Sequence, residues 1–485
     1  MATVDKISVR EEIDRLKQEF EQLCSSGKVS SEIRVVMNSL LVVVELILSV
    51  FLEKKTRKNS KNSSLPPSQT EKDETAIPSP VSKGKGHKVS GELSNTRVRE
   101  TVTNAKVVTC DVCGVALDEV SCKGYERRTR IDIVFEKVVE HVDAEIKQCP
   151  NCEAIVKGSF PEDMPGNLQY GNGLKAFAIH LIISQMVALN RVQKQITAMI
   201  GSVISEASLL KFVLRLYQAL DAWERDAIES LLQAPSVHVD ETSFRVEGKN
   251  HWIHVYSSGG TTLKLLHRKR GNEAIAGLNI IPRYGGVIIH DCWASYLSYN
   301  HCGHGLCGSH LLRELAFIID SNQYRWARNM KKLLQETCHT VAKRKEKCLT
   351  DKEYANLQKR YRNILTRGDK ELPEIPAKPK GKRGKIAKSD AHNLWERLKK
   401  YETAVLLFAR DPHVPFTNNR AERDLRMAKV KQKISGCFRK KLYALAYCRI
   451  SSYLQTMASQ GVNPLVAIQI ALTGKALEAE SDRGE

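Results

Sequence analysis

The sequence predicts an α/β catalytic domain with a helical insertion, preceded by a cysteine-bearing module, a helical region and an N-terminal coiled-coil helix. Three observations lead there. Short apolar runs of period two begin at Ser236 and end at His290, with turn residues such as Gly248, Gly259 and Gly285 between them. Leu, Ile and Ala recur at helical spacing before that stretch, over 173–232, and helical patterning returns after it, over 311–365. Two Cys-x-x-Cys pairs stand ahead of both regions. A chain of 485 residues exceeds one ordinary core, so several domains are expected.

The N-terminal segment, 1–55, reads as two helical stretches broken around Ser25, Ser26 and Gly27. Val35 to Leu52 is apolar enough to raise a membrane span, but Asn38, Ser39 and Glu45 would then lie in hydrocarbon. Met37, Leu41, Val44, Leu48 and Phe51 follow an alternating four-three spacing, the seam of an oligomerising coiled coil, so no membrane is expected. Residues 56–105 are rich in Lys, Ser, Asn, Pro and Gly and read as a basic flexible linker. A module over 106–162 carries the cysteine pairs. The region 173–232 holds a possible helix-turn-helix, Arg191–Met199 and Glu206–Leu216 around Gly201. Helix pairs of this kind are common in any helical domain.

Strands are expected at Ser236–Asp240, His251–Ser257, Thr262–His267 and Gly286–His290, opening a domain over 233–450. Within it 311–410 forms a helical insertion whose end includes the Pro/Lys/Gly-rich stretch 369–388, and 451–485 is a C-terminal helical segment and tail. With 75 Lys and Arg against 55 Asp and Glu, the net charge of +20 suits a polyanionic partner. No secretory leader is evident, so the thirteen cysteines are expected in a reducing cytoplasm, as free or metal-bound thiols.

The first strand delivers Asp240 and the fourth Asp291, each at the strand's expected terminus, where catalytic groups are commonly mounted. Glu422 falls in the first turn of a helix opened by Asn418 and Asn419, and Asp424 lies roughly 200° further around it, too far to share a site. Three carboxylates can hold two hard divalent cations about 3.5–4 Å apart for in-line phosphoryl transfer. Singly, each has a plainer reading: a strand-end Asp often forms a turn, and Glu422 three residues after Asn419 resembles a capping box.

The strings His238-Val239-Asp240-Glu241-Thr242, His290-Asp291-Cys292-Trp293-Ala294-Ser295-Tyr296, Ser309-His310-Leu311-Leu312-Arg313-Glu314-Leu315, Asn418-Asn419-Arg420-Ala421-Glu422-Arg423-Asp424-Leu425-Arg426 and Gln432-Lys433-Ile434-Ser435-Gly436-Cys437-Phe438-Arg439 resemble, in order and spacing, the signature blocks of insertion sequence 66 transposases. Lys58 to Ser68 is similar to that family's N-terminal block. The resemblance implies a ribonuclease-H-like domain with a DDE triad on Asp240, Asp291 and Glu422, using Mg²⁺ or Mn²⁺. It implies DNA strand cleavage and transfer on double-stranded DNA, at the terminal inverted repeats of the element and at a target. A homo-oligomer and small companion proteins of the same element are expected with it. The chain departs from the usual pattern at Cys292 and Ala294, where glycine and lysine are more usual, without touching the triad.

Cys110-x-x-Cys113 and Cys149-x-x-Cys152 suit four-thiolate structural zinc, and Gly114 and Pro150 favour tight turns beside them. The family is similar in carrying a zinc-binding domain here. Cys302-x-His304-x-x-Cys307-x-x-His310 has a spacing that admits a metal or simply shapes the turn before the Leu311 helix. Beside the third carboxylate, Arg420, Arg423, Arg426, Lys429, Lys431, Lys433 and Arg439 are expected to grip phosphates, against the plainer reading of a solvated helix face. Rival functions on the same residues are a non-catalytic DNA-binding regulator and a nuclease without strand transfer.

Overall fold

The computed structural model of the chain describes residues 101–133, 135–375 and 388–474, with isolated positions between 15 and 40. Most of the expected coiled coil, nearly all of the 56–105 linker, residues 376–387 and the tail from 475 lie outside the described residues. No helix among the described residues is long and apolar enough to cross a membrane. The chain divides into two compact units: 76–309 with 341–351 and 401–485, and a second that includes 310–340 and 352–400.

The first unit is built on a five-stranded mixed sheet. After the small hairpin β1 (Ile146–Gln148) and β2 (Ile155–Lys157) come four helices, α1 (Asn172–Ile183), α2 (Leu189–Ile200), α3 (Glu206–Ala219) and α4 (Asp221–Gln233). The sheet strands are β3 (Ser236–Val246), β4 (Lys249–Ser258), β5 (Thr261–His267), β6 (Val287–His290) and β7 (Gly303–Leu306), with α5 (Asn272–Leu278) between β5 and β6. Their order across the sheet is β5-β4-β3-β6-β7; β3, β4 and β5 are antiparallel neighbours, while β6 and β7 run parallel to β3. This mixed α/β topology is compatible with the ribonuclease-H-like expectation.

Both faces of the sheet are covered, which is why its strands carry apolar side chains on both sides. Phe244, Val246, Ile253, Val255 and Leu266 pack into one core with Leu425 of α11 (Asn419–Ser435), Tyr447 and Tyr453 of α12 (Lys441–Ser459) and Ile468 of α13 (Pro464–Leu472). Val237, Val239, Tyr256, Leu263 and Ile288 pack into a second core with Leu231, Ile275 and Tyr284.

Two differences from the sequence reading bear on the site. β3 does not stop at Asp240: it runs on to Val246 and pairs with β4 throughout, because Glu247 and Gly248 both take positive φ (52° and 72°) and close a two-residue hairpin. Residues 303–306 are an edge strand rather than a turn. Its glycines are required there: a Cβ on Gly305 would come within 2.9 Å of Val414 Cγ1.

In the second unit, Gly368 of α8 (Asp351–Glu371) admits two indoles, since a Cβ there would lie 2.9 Å from Trp326 and 3.1 Å from Trp395. Trp326 lies on α7 (Arg325–Lys343), which follows α6 (Gly308–Asn322), and Trp395 lies on α9 (Asp390–Lys400); α10 (Glu402–Leu406) comes next in the chain, in the first unit. Trp395 Nε1 donates to Leu365 O at 2.9 Å and the Tyr361 hydroxyl to Leu398 O at 2.9 Å, tying α8 to α9.

Candidate active site

Asp240 lies mid-strand on β3, opposite Val255 of β4. Its Oδ1 accepts from the Glu241 N–H at 2.8 Å. Burial holds this carboxyl well above the usual carboxylate range, and the charges of Glu241, Asp291 and, more weakly, Glu422 add to the effect. Asp291 and, more weakly, Glu422 are therefore within electrostatic reach of Asp240. Half-buried Asp240, with Asp291 and Glu422, offers carboxylate oxygens of the kind that hard divalent cations such as Mg²⁺ or Mn²⁺ take.

Asp291 leaves the end of β6, the parallel neighbour of β3. Its Oδ1 accepts from the Trp293 N–H at 3.2 Å, and Cys292 between them takes φ 71°, a conformation that favours glycine. A histidine relay supports this turn. Cys292 N–H donates to His290 Nδ1 at 3.1 Å, so His290 carries its proton on Nε2 and donates to His304 Nδ1 at 3.1 Å. His304 Nε2 then donates to Tyr299 O at 3.1 Å. Burial, followed by the nearby His304, pushes His290 down to about 3, which keeps it neutral. Both ring nitrogens of His304 are thus engaged. The Cys302 thiol donates to Tyr299 O at 3.3 Å. Neither residue is aimed at a metal.

Glu422 sits in the first turn of α11. The helix N-cap is Asn418, so Glu422 is one position too far along for a capping box, and Asn418 makes no side-chain cap. Instead Asn418, 1 % exposed, reaches β3: its Nδ2 donates to Val239 O at 2.8 Å and its Oδ1 accepts from His238 Nδ1 at 2.9 Å. Both contacts fall on the two residues before Asp240, fixing the helix start against the strand that carries the first carboxylate. Burial pushes His238 down to about 4, so it remains a neutral donor.

Asp424 points elsewhere, as its angle around the helix requires. It is 2 % exposed and accepts from Ser257 Oγ at 2.7 Å, Thr262 Oγ1 at 3.0 Å and Gln455 Nε2 at 2.6 Å.

The sequence model of the IS66 family of transposases matches residues 167–444. The chain belongs to the IS66 transposase family. No curated protein matches it. For a transposase of this family, the placement of the basic residues matters. Arg423, Arg426, Lys433 and Arg439 are exposed, while Arg420 and Lys429 are half-buried. Lys429 donates to Ser243 Oγ at 3.3 Å and feels the charge of Asp240. Lys431 is buried, its ammonium over the Phe438 ring at 5.9 Å.

The two cysteine knuckles share one backbone geometry. Cys110 N–H donates to Val115 O and Gly114 N–H to Cys110 O; Cys149 N–H donates to Ala154 O and Glu153 N–H to Cys149 O, all at 2.9 Å. The residue after each knuckle has positive φ, Gly114 at 74° and Glu153 at 56°. Pairing is also the same, Thr109 with Ala116 and Gln148 with Ile155. The thiols of Cys110 and Cys149 are each lowered, first by the backbone N–H two residues on, at Val112 and at Asn151, then by the N–H and the thiol of Cys113 and Cys152. Such amides favour a thiolate and fit a zinc ligand pair. Among the described residues no three of these four sulfurs lie within 4.8 Å of one another.

Sequence reasoning missed Glu241 and Arg270. Glu241 is buried, accepting from Arg270 and from the Tyr296 hydroxyl. Its adjacency to Asp240 was visible, but its turn to the opposite face of β3 was not.

Proposed function

We propose that the chain is a DDE transposase that cuts and joins the ends of its element on a ribonuclease-H-like domain, with Asp240, Asp291 and Glu422 as the metal-binding triad. The observation that carries this reading is the half-buried Asp240 carboxyl, on a strand beside the one that ends at Asp291 and pushed up by the charges of Asp291 and, more weakly, Glu422. Two bound Mg²⁺ ions would polarise the scissile phosphodiester and lower the pKa of the attacking water. The chain's own part is to hold the three carboxylates in register, and the bound cations would offset the burial and crowding that push the Asp240 carboxyl up. In the first step water adds to phosphorus and the bond to O3′ breaks, leaving a 3′-hydroxyl and a 5′-phosphate. In the second, that 3′-hydroxyl attacks a target phosphodiester, releasing a target 3′-hydroxyl. Exposed Arg423, Arg426, Lys433 and Arg439, with half-buried Arg420 and with Lys429 beside Asp240, would bind the DNA backbone on either side. The Cys110, Cys113, Cys149 and Cys152 module would hold one structural Zn²⁺. A homo-oligomer assembled on paired ends, with companion proteins of the element, completes the reading.

Asp240→Asn, Asp291→Asn and Glu422→Gln are each expected to abolish Mg²⁺-dependent cleavage of a duplex bearing the terminal repeat, while retention of that duplex in a gel-shift assay stays close to wild type. Wild-type cleavage by any one of the three would remove that residue from the triad.

A further inference from the structure

Arg270 follows β5, in a segment pinned by the Lys269 N–H donating to His267 Nδ1 at 3.0 Å. Its guanidinium lies between two indoles, with Cζ 4.4 Å from the Trp293 ring centroid and 5.0 Å from that of Trp252. Nε and Nη2 both reach Glu241 Oε1, at 2.8 Å and 2.7 Å. Glu241 is itself fixed, its Oε2 accepting from the Tyr296 hydroxyl at 2.6 Å, and its side chain is 2 % exposed against 42 % for Arg270. The remaining nitrogen, Nη1, meets no protein acceptor among the described residues, in a side chain open to solvent.

One anchor of this group touches a triad position: Trp293, against which the guanidinium stacks, gives its N–H to Asp291 Oδ1. The other, Glu241, follows Asp240 on β3 and turns to the opposite face of the strand. Neutralising a buried glutamate would need only a cation, and a lysine would serve. Two stacked indoles add something a lysine could not use: they fix the plane of the fork and so remove most of the rotamer freedom that binding would otherwise cost. We propose that Arg270 is a preorganised phosphate-binding residue, whose free guanidinium edge takes a non-bridging oxygen of a DNA phosphodiester next to the one held at Asp240, Asp291 and Glu422. This rests on the triad reading for its position, and on the Arg270 geometry for its chemistry.

The test uses the full chain and duplexes bearing the terminal repeat, each with one phosphate replaced by a neutral methylphosphonate, with binding followed by fluorescence anisotropy without divalent metal. Arg270→Lys keeps a charge beside Glu241, and Arg270→Ala combined with Glu241→Gln removes both members of the buried pair, so each variant leaves no unpaired carboxylate. On unmodified duplex both are expected to bind about tenfold more weakly, the scale of one charge-assisted contact. At one backbone position the methylphosphonate should weaken the wild type by the same factor and the variants no further. Losses that add at every position, or Arg270→Lys binding like wild type, would overturn the proposal. Because no cleavage is read, absence of Mg²⁺-dependent cleavage by the wild type would count against the triad reading alone.

Discussion

Cys292 shows how much of the site rests on single backbone conformations. Its φ of 71° lets the Trp293 N–H meet Asp291 and its own N–H meet His290, so the site draws on the turn that this residue makes. A left-handed conformation costs a non-glycine residue roughly 1–2 kcal/mol, part of which glycine returns through its more flexible unfolded chain. Cys292→Gly is therefore expected to stabilise the folded chain by about 1 kcal/mol, read as a higher denaturant midpoint at unchanged m-value. An unchanged or lower midpoint would mean that the thiol's own contacts outweigh the strain. The sequence hinted at this only through its resemblance to the family, which implied a glycine here. What it could not supply was the His290–His304–Tyr299 relay. Those residues lie on three separate segments, and Cys302 and His304 read equally as members of a ligand set until both nitrogens of His304 are seen to be engaged.

Helix α11 is positioned by polar contacts on both of its inner edges, Asn418 to β3 and Asp424 to β4, β5 and α12. Beside Asp424, Lys264 is buried on β5 with its ammonium donating to Gln455 Oε1 at 2.6 Å. Burial is the main cause that pushes Lys264 down to about 8 from an ordinary 10.5. Between those two values the unfolded chain holds a proton that the folded chain does not, so stability rises with pH across the window, and the cost is fully present below pH 8. That cost is on the order of 3 kcal/mol. The stability of the wild type relative to Lys264→Met is expected to climb as pH is raised from about 8 to about 10.5, measured by urea denaturation. A difference independent of pH would show that the amine is not perturbed. The helix, its Asn start and the angle that turns Asp424 away from Glu422 were all legible from local pattern. The length of β3 was not, because polar Glu241, Thr242 and Ser243 hide a strand that only β4 pairing reveals. Neither was β7, whose Gly303 and Gly305 read as turn residues although neighbouring side chains demand them.

At the scale of the whole molecule, the described residues differ sharply in what holds them. The sheet and its helices have two apolar cores, and a fully buried Leu, Ile or Phe contributes roughly 1.5–3 kcal/mol there. Across the cysteine module, by contrast, Val112, Ile131, Ile133, Phe135, Val138 and Ile155 are all exposed. Hydrogen bonds at two hairpin tips cannot offset the chain entropy of some fifty residues at about 1–2 kcal/mol each. The matched knuckles, each with its two thiols together, point to metal as the source of the missing stabilisation. Purified protein is expected to carry about one zinc per chain, lost on Cys149→Ser or on prolonged chelation. Removal should open 106–162 to protease while leaving the fragment from about residue 167 intact and its thermal transition unmoved, since neither core contains a residue of the module. Zinc-free protein with an unchanged digestion pattern would show that the module draws its stability from elsewhere. A shifted core transition would show that module and core fold as one, which the separate packing of the two argues against.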